Sequence, residues 1–256
     1  MQGPLLSGSI GSRKNPAIRF DFKHRAILKA HPELMDQPCS YDDLRRCLRD
    51  IAKVNQLTFA YSPTFEWLNW VYSRLPLQSR PLHIVDVGCG YGDTLRRIGV
   101  WAKDRSLPVI LTGIDLNPQA VRAAREVTPP DIATFIEGNA FAFDPPGGID
   151  IVINSLLMHH LENDQIVPLL QWMESVTRIG WFINDLHRQP IPYHLFRVLR
   201  HFTQWHRFVK HDGAVSILRS FRPEDWHALA LAARIPHNEY TIREHRPARL
   251  CVARLR

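Results

Sequence analysis

The sequence predicts an α/β protein organised around a parallel sheet. Two observations carry that expectation. From His83 onward, short β-rich runs alternate with helical stretches, the order expected of βαβ units whose sheet is covered on both faces. The first of those runs passes straight into a glycine-rich turn, "HIVDVGCGYG" (His83–Gly92), at the end of a strand where such sheets bind their ligands. Composition agrees: 45% hydrophobic and 22% charged residues over 256 residues are ordinary values for a globular chain.

The elements follow in order. Residues 1–20 ("MQGPLLSGSIGSRKNP…") lack the apolar centre of a signal peptide and read as a loose leader. Residues 21–80 read as a helical region. Ser40 is placed to cap a helix with Asp43 three residues on, and Leu44, Cys47, Leu48 and Ile51 fall on one helical face. A second helix opens at "SPTFEW" with Pro63 in its first turn, and its stripe is Phe65, Leu68, Val71, Tyr72 and Leu75. Residues 81–256 then alternate: "HIVDV", a helix over Thr94–Lys103, "VILTGID", a helix over Pro118–Val127, "ATFIEG", "IDIVINS", a helix over Gln165–Thr177 and "GWFIND". A helix after Pro223 and two terminal strands, "NEYTIRE" and "RLCVARL", complete the chain. The stretch 190–215 is far too long for a simple connection, so a functional insertion is expected there. Its Leu195, Phe196, Leu199, Phe202 and Trp205 follow a helical period and would form a lid over an apolar pocket together with the N-terminal region.

Gly88, Gly90 and Gly92 leave a turn without side chains, where backbone N–H groups can approach a ligand closely. The spacing is not G-x-G-x-x-G, and no Gly-Lys-Ser/Thr of a phosphate loop follows. Asp86, two residues earlier, would repel a phosphate and suits a cation instead. A ligand with an ammonium group, a ribose and no phosphate fits better than a dinucleotide.

These residues resemble the class I S-adenosylmethionine-dependent methyltransferases. "VDVGCGYGDT" matches the first motif of that family, "GIDLNPQAV" the second, "EGNAFAF" the third, and "IDIVINSLLMHHL" the fourth strand with the loop that follows it. The resemblance implies a Rossmann-like, seven-stranded, mostly parallel sheet with a reversed terminal hairpin, beneath an N-terminal helical cap. It implies S-adenosyl-L-methionine as cofactor. It also implies cofactor contacts from Asp86, Gly88, Cys89, Gly90 and Gly92, from Asp115 (to both ribose hydroxyls) and Leu116, from Asn139 and Ala140 beside the adenine, and from Asn154 and Ser155. Further stretches, "FINDLHR", "KHDGAVSILRSFRPED" and "ELMD…DLRRCLRDIAKVN", are similar to bacterial small-molecule methyltransferases found beside polyketide synthases. Their acceptors are phenolic, pyrone or quinone-like rings.

The expected activity is therefore methyl transfer to an oxygen, or secondarily a carbon, of a small aromatic or polyketide acceptor. His159 and His160 follow the fourth strand, on the loop that the resemblance turns toward the transferred methyl. They are the candidate general bases, with His159 favoured, and His187 and Arg188 stand second. No metal is expected, because adjacent histidines do not chelate as an i, i+4 helical pair would.

The rival reading is a nucleic-acid methyltransferase, since 32 Lys and Arg against 25 Asp and Glu give a net charge of +7. That excess is scattered and reads as a solvated basic surface. The "DPPG" at Asp144–Gly147 precedes the fourth strand and lacks the aromatic that would stack a flipped base. A catalytically silent cofactor-binding scaffold is the third reading, opposed by the intact glycines and acids. No nucleic-acid partner and no membrane span are expected, the class admits a homodimer, and four cysteines without C-x-x-C spacing point to a reducing cytoplasm.

Overall fold

The structure is a computed structural model that describes residues 21–75 and 80–256; the expected leader over 1–20 lies outside them. Seven strands form one sheet in the order β3-β2-β1-β4-β5-β7-β6. They are β1 (Leu82–Val87), β2 (Val109–Asp115), β3 (Thr134–Glu137), β4 (Ile149–Ser155), β5 (Thr177–Leu186), β6 (Tyr240–His245) and β7 (Arg249–Leu255). β1 to β5 pair in parallel, and β7 runs antiparallel to both β5 and β6. The sheet is thus mostly parallel with a reversed terminal hairpin, as the resemblance implied. Strand order turns back between β1 and β4, which opens a crevice at their C-terminal ends.

Alternation along the central strands supplies both cores. Ile84, Ile151, Ile153, Phe182 and Cys251 point to one face, where they meet α2 (Ser62–Tyr72), α3 (Asp93–Lys103) and α4 (Pro118–Val127). Val85, Val152, Trp181, Ile183, Leu250 and Val252 point to the other, under α5 (Asn163–Val176) and α8 (Pro223–Ala232).

The N-terminal region divides. α1 (Tyr41–Leu57) is capped by Ser40, whose hydroxyl accepts the Asp43 N–H at 3.1 Å. Its Leu44, Cys47 and Leu48 are buried, and it packs against α4 and α7 (Arg207–Arg219) above the crevice. α2 instead belongs to the sheet's own covering layer: Trp67 stacks on Phe182 at 5.1 Å. Its buried face is Thr64, Trp67, Leu68 and Val71, whereas Tyr72, assigned to the stripe by its period, is exposed.

Residues 21–40 are not the helix expected. Apart from a 3-10 turn at Leu34–Asp36 they form an irregular strap held from outside. Arg188 donates to the carbonyls of Phe22 and Lys23 (3.0 Å each), and the Leu34 and Met35 N–H groups donate to Asp212 at 2.8 and 3.0 Å. In the insertion, α6 (Pro190–Leu199) ends before Phe202 and Trp205, so the apolar period overruns its helix. Trp205 folds back and stacks on Phe196 at 5.9 Å. Asp50 of α1 accepts the His206 N–H at 2.9 Å, which ties this insertion to the N-terminal region. Among the described residues no helix is long and apolar enough to cross a membrane.

Candidate active site

One chamber of about 1140 Å³ lies over the crevice, between the sheet, α1, the strap and the helices α6 and α7. It exceeds the ~300–1,000 Å³ typical for one small ligand, which leaves room for a cofactor and an acceptor together.

One end is built from β1 and β2. Asp86 lies near the end of β1 at 2% exposure, and its Oδ1 has no hydrogen-bond partner. Burial holds its pKa well above the usual carboxylate value, and Asp93 and Asp115 push it further. A buried acceptor of this kind is costly unless a donor arrives, and a cationic ligand supplies both the donor and the counter-charge. The turn that follows carries Gly90 with φ +52°, where an added Cβ would meet only Leu48 at 3.7 Å, so the space above it stays open. The Gly90 N–H and the Asn117 N–H each donate to one Asp115 oxygen at 2.9 Å. Asp115 is thereby fixed at the end of β2, and burial raises its pKa. Gly88 and Cys89 also line this end.

Farther along, Leu116 (73% exposed) and Phe141 (49% exposed) stand at the mouth beside Asn139 and the buried Ala140. Two exposed apolar side chains beside a polar one suit a flat heterocycle. Asn139 Oδ1 accepts the Phe141 N–H at 3.0 Å, so its carboxamide is oriented by the local turn. Ser155, at the end of β4, lies on the chamber floor.

The other end gathers around the 3-10 turn Met158–His160. His159 is 2% exposed, and its Nδ1 donates to Asp185 Oδ1 at 2.7 Å while its backbone N–H donates to Asp185 Oδ2 at 3.2 Å. That tautomer leaves Nε2 as an acceptor, 3.9 Å from Glu33 Oε1. Burial alone would raise the Asp185 carboxyl, but His159, the Leu186 N–H and Arg249 together outweigh that effect and lower it. His160 bonds Asp36 at 3.1 Å and lies 3.8 Å from Glu33. Burial opposes charge on this ring, yet Glu33 and Asp36 prevail and bring its pKa up to about 9. At neutral pH His160 is therefore a cation and not a proton acceptor, which leaves His159 as the base candidate of the pair.

Several expected site residues are placed elsewhere. His187 is buried and does not line the chamber; it lies just past the end of β5, and its Nδ1 meets Gln189 at 3.0 Å. Arg188 is a structural clasp: besides the strap carbonyls it bonds Asp225 at 2.9 Å and the Ser220 carbonyl. Asn154 points away from the crevice into the α5 side, with Nδ2 3.9 Å from Met173 Sδ. Gly92 serves packing, since a Cβ there would sit 2.5 Å from Phe135. The spacing argument about the histidines was also too simple. Glu33, His159 and His160 bring donor atoms within 4.8 Å of one another, although Arg219 already donates to Glu33 at 3.1 Å and supplies positive charge there.

Glu33, Asp36 and Arg249 escaped the sequence reading because each reaches the chamber from a distant segment, and Asp185 because it acts from behind the wall through His159. Phe141 stood inside a recognised motif, and its apolar character next to Asn139 was the available signal.

The sheet order is that of the class I methyltransferases. Residues 84–180 match the family model described as "Methyltransferase domain". A 2-methyl-6-phytyl-1,4-hydroquinone methyltransferase of Synechocystis sp. is 44% identical over 71 residues, which is 27% of this chain and 21% of that protein. The match thus spans about a fifth of that curated relative. Among solved structures, the plantazolicin methyltransferase BpumL in complex with a pentazolic desmethylPZN analogue and SAH aligns with a TM-score of 0.57 at 16% identity, over 84% of this chain and 97% of that one. The citrinin polyketide synthase CMeT domain gives 0.52 at 17% identity, over 73% and 49%. At such identities these likenesses concern the fold. The class implies S-adenosylmethionine as cofactor, and the residues present fit it: an unpartnered buried carboxylate for an ammonium group, an open glycine turn, and a second carboxylate on the next strand.

Proposed function

We propose that this protein transfers a methyl group from S-adenosylmethionine to an oxygen of a small aromatic, pyrone or quinone-like acceptor. The observation that carries the reading is the continuity of one chamber from Asp86 and Asp115 to His159. Asp86 and the glycine turn would hold the amino-acid part of the cofactor, Asp115 the ribose, and Leu116, Asn139 and Phe141 the adenine. When bound, the cofactor supplies an electrophilic methyl group.

The remaining work falls to the chain itself. Leu157, Leu161, Leu195, Phe196, Leu199 and Trp205 give the acceptor end apolar walls, which favour a flat ring and exclude water from the reacting oxygen. His159 Nε2, oriented through Asp185, takes the hydroxyl proton as the new bond forms. The hydroquinone acceptor in the relative's name supports the same acceptor class. An oxygen acceptor is favoured over carbon because the site supplies a positioned base, and the enclosed apolar walls support a small molecule over a flipped nucleobase.

The test has two stages. Calorimetric titration with S-adenosylmethionine and S-adenosylhomocysteine should show binding, and its absence would end the reading. A product-mass screen over phenols, pyrones and quinones should then yield a methylated product with wild-type protein. Methylation of bulk RNA with no small-molecule product would overturn the acceptor class.

A further inference from the structure

Among the described residues, two that line the chamber hold a buried polar atom without a partner: Asp86 Oδ1 and Arg249 Nη1. The first belongs to the cofactor end. The second stands at the start of β7.

Arg249 is 6% exposed, and its one side-chain hydrogen bond runs from Nη2 to Asn55 Oδ1 at 2.9 Å. Asparagine is neutral, so among the described residues the guanidinium has no carboxylate in direct contact. The other two deeply buried arginines each have a carboxylate partner, Arg188 with Asp225 at 2.9 Å and Arg219 with Glu33 at 3.1 Å. Asp185 acts on Arg249 electrostatically, but burial is the stronger influence and lowers the guanidinium's pKa. An arginine nonetheless stays charged, and a buried charge without a counter-ion in contact is destabilising. Such an arrangement persists where a ligand completes it.

Position says which ligand. Arg249 opens β7 and pairs with Leu186 at the end of β5. The strand order places β7 three strands from β1, roughly 14 Å from the glycine turn at ~4.8 Å per strand. Asp185, the residue before Leu186, is the one that holds His159. Arg249 and the base candidate therefore flank the same end of the chamber, away from the carboxylates on β1 and β2.

We propose that Arg249, steadied by Asn55, is the recognition residue for the methyl acceptor, and that the acceptor presents an ionised oxygen (phenolate, enolate or carboxylate) to its free Nη1. The inference rests on the methyl-transfer reading and narrows its acceptor class. A guanidinium donating to the acceptor favours its ionised form. For a phenol or enol, the proton leaves the oxygen for His159 Nε2 and the electron pair remains on the oxygen facing Arg249.

The probes are 4-nitrophenol, whose ionisation is read from its own absorbance, and 4-nitroanisole, its neutral counterpart. Binding is measured with and without S-adenosylhomocysteine, on wild type, Arg249→Lys and Arg249→Met. Wild type should prefer the nitrophenol by about tenfold or more and hold it ionised, Arg249→Lys should keep part of that preference, and Arg249→Met should reduce it to about twofold or less. The melting temperature of ligand-free Arg249→Met should equal or exceed that of wild type, an outcome a purely structural arginine would reverse. Equal binding of the two probes by wild type, or no binding of either, would overturn the proposal. A tenfold loss of S-adenosylhomocysteine affinity in Arg249→Met would do so too, by assigning the guanidinium to the cofactor's carboxylate. Should wild type fail to bind S-adenosylhomocysteine at all, the methyl-transfer reading falls, while the preference between the two probes still decides the role of Arg249.

Discussion

Asp185 holds His159 at two points: one carboxylate oxygen receives the ring Nδ1–H at 2.7 Å and the other the backbone N–H at 3.2 Å. The ring is thus fixed in both tautomer and direction. Asp185→Asn keeps the shape but can present an N–H to the ring, which turns the available lone pair away from the acceptor. Single-turnover methylation should slow by ~10²-fold or more, in the range a positioned base contributes. Cofactor affinity should not change. An unaltered rate would remove His159 from proton transfer.

Asp115→Ala should weaken S-adenosylmethionine by about ten- to a hundredfold, the equivalent of roughly 1.5–3 kcal/mol for hydrogen bonds to a charged group. Because Asp115 also receives the Gly90 and Asn117 N–H groups, Asp115→Asn should fall between the two. Calorimetry on folded variants gives the order directly.

Asp86 sets a pH dependence. Its pKa in the ligand-free protein lies well above the ordinary carboxylate value, because burial disfavours the charge. The stabilising contribution of the neutral form is complete below the unfolded value and disappears as pH rises through the folded one. A cationic ligand needs the ionised form, so S-adenosylhomocysteine affinity should fall as pH drops through that raised value. Asp86→Asn should flatten this profile and weaken binding while raising the ligand-free melting temperature at neutral pH by about 2–4 °C per kcal/mol of burial penalty removed. A variant that binds normally and melts lower would contradict the assignment.

α6 and the turn after it should respond to occupancy of the chamber. Leu195, Leu199 and Phe202 are exposed at 50%, 43% and 81%, and Leu195 and Leu199 line the chamber. Acceptor together with S-adenosylhomocysteine should protect Tyr193–Lys210 from hydrogen exchange. Unchanged exchange with acceptor bound would exclude these helices from closure.

The sheet was legible because its signals are local. "VILTGID" and "IDIVINS" coincide with β2 and β4, and Pro118–Val127 with α4, where Asn117 caps the helix by accepting the Gln119 N–H. The chamber end at β1 and β2 was legible for the same reason, since Asp86, Gly90 and Asp115 stand in the turns that build it. The strap was not. Its conformation is imposed by Arg188 and Asp212, more than 160 residues away in sequence, and nothing in "FDFKHRAILKAHPELMDQP" announces them. Glu33 and Asp36 enter the site only on that strap. Gly92 and Asn154 show the reverse error: each sits in a motif, but packing against Phe135 and Met173 explains them.

The strap and β7 place Glu33 and Arg249 on the walls of one chamber, although almost the whole sequence separates them. The cofactor end, by contrast, comes from the stretch between Asp86 and Phe141. Two parts of the chamber are therefore encoded in separate segments of the chain. On the proposed reading, substitutions in the outlying segments would change which acceptor is admitted and leave the stretch that holds the cofactor as it is.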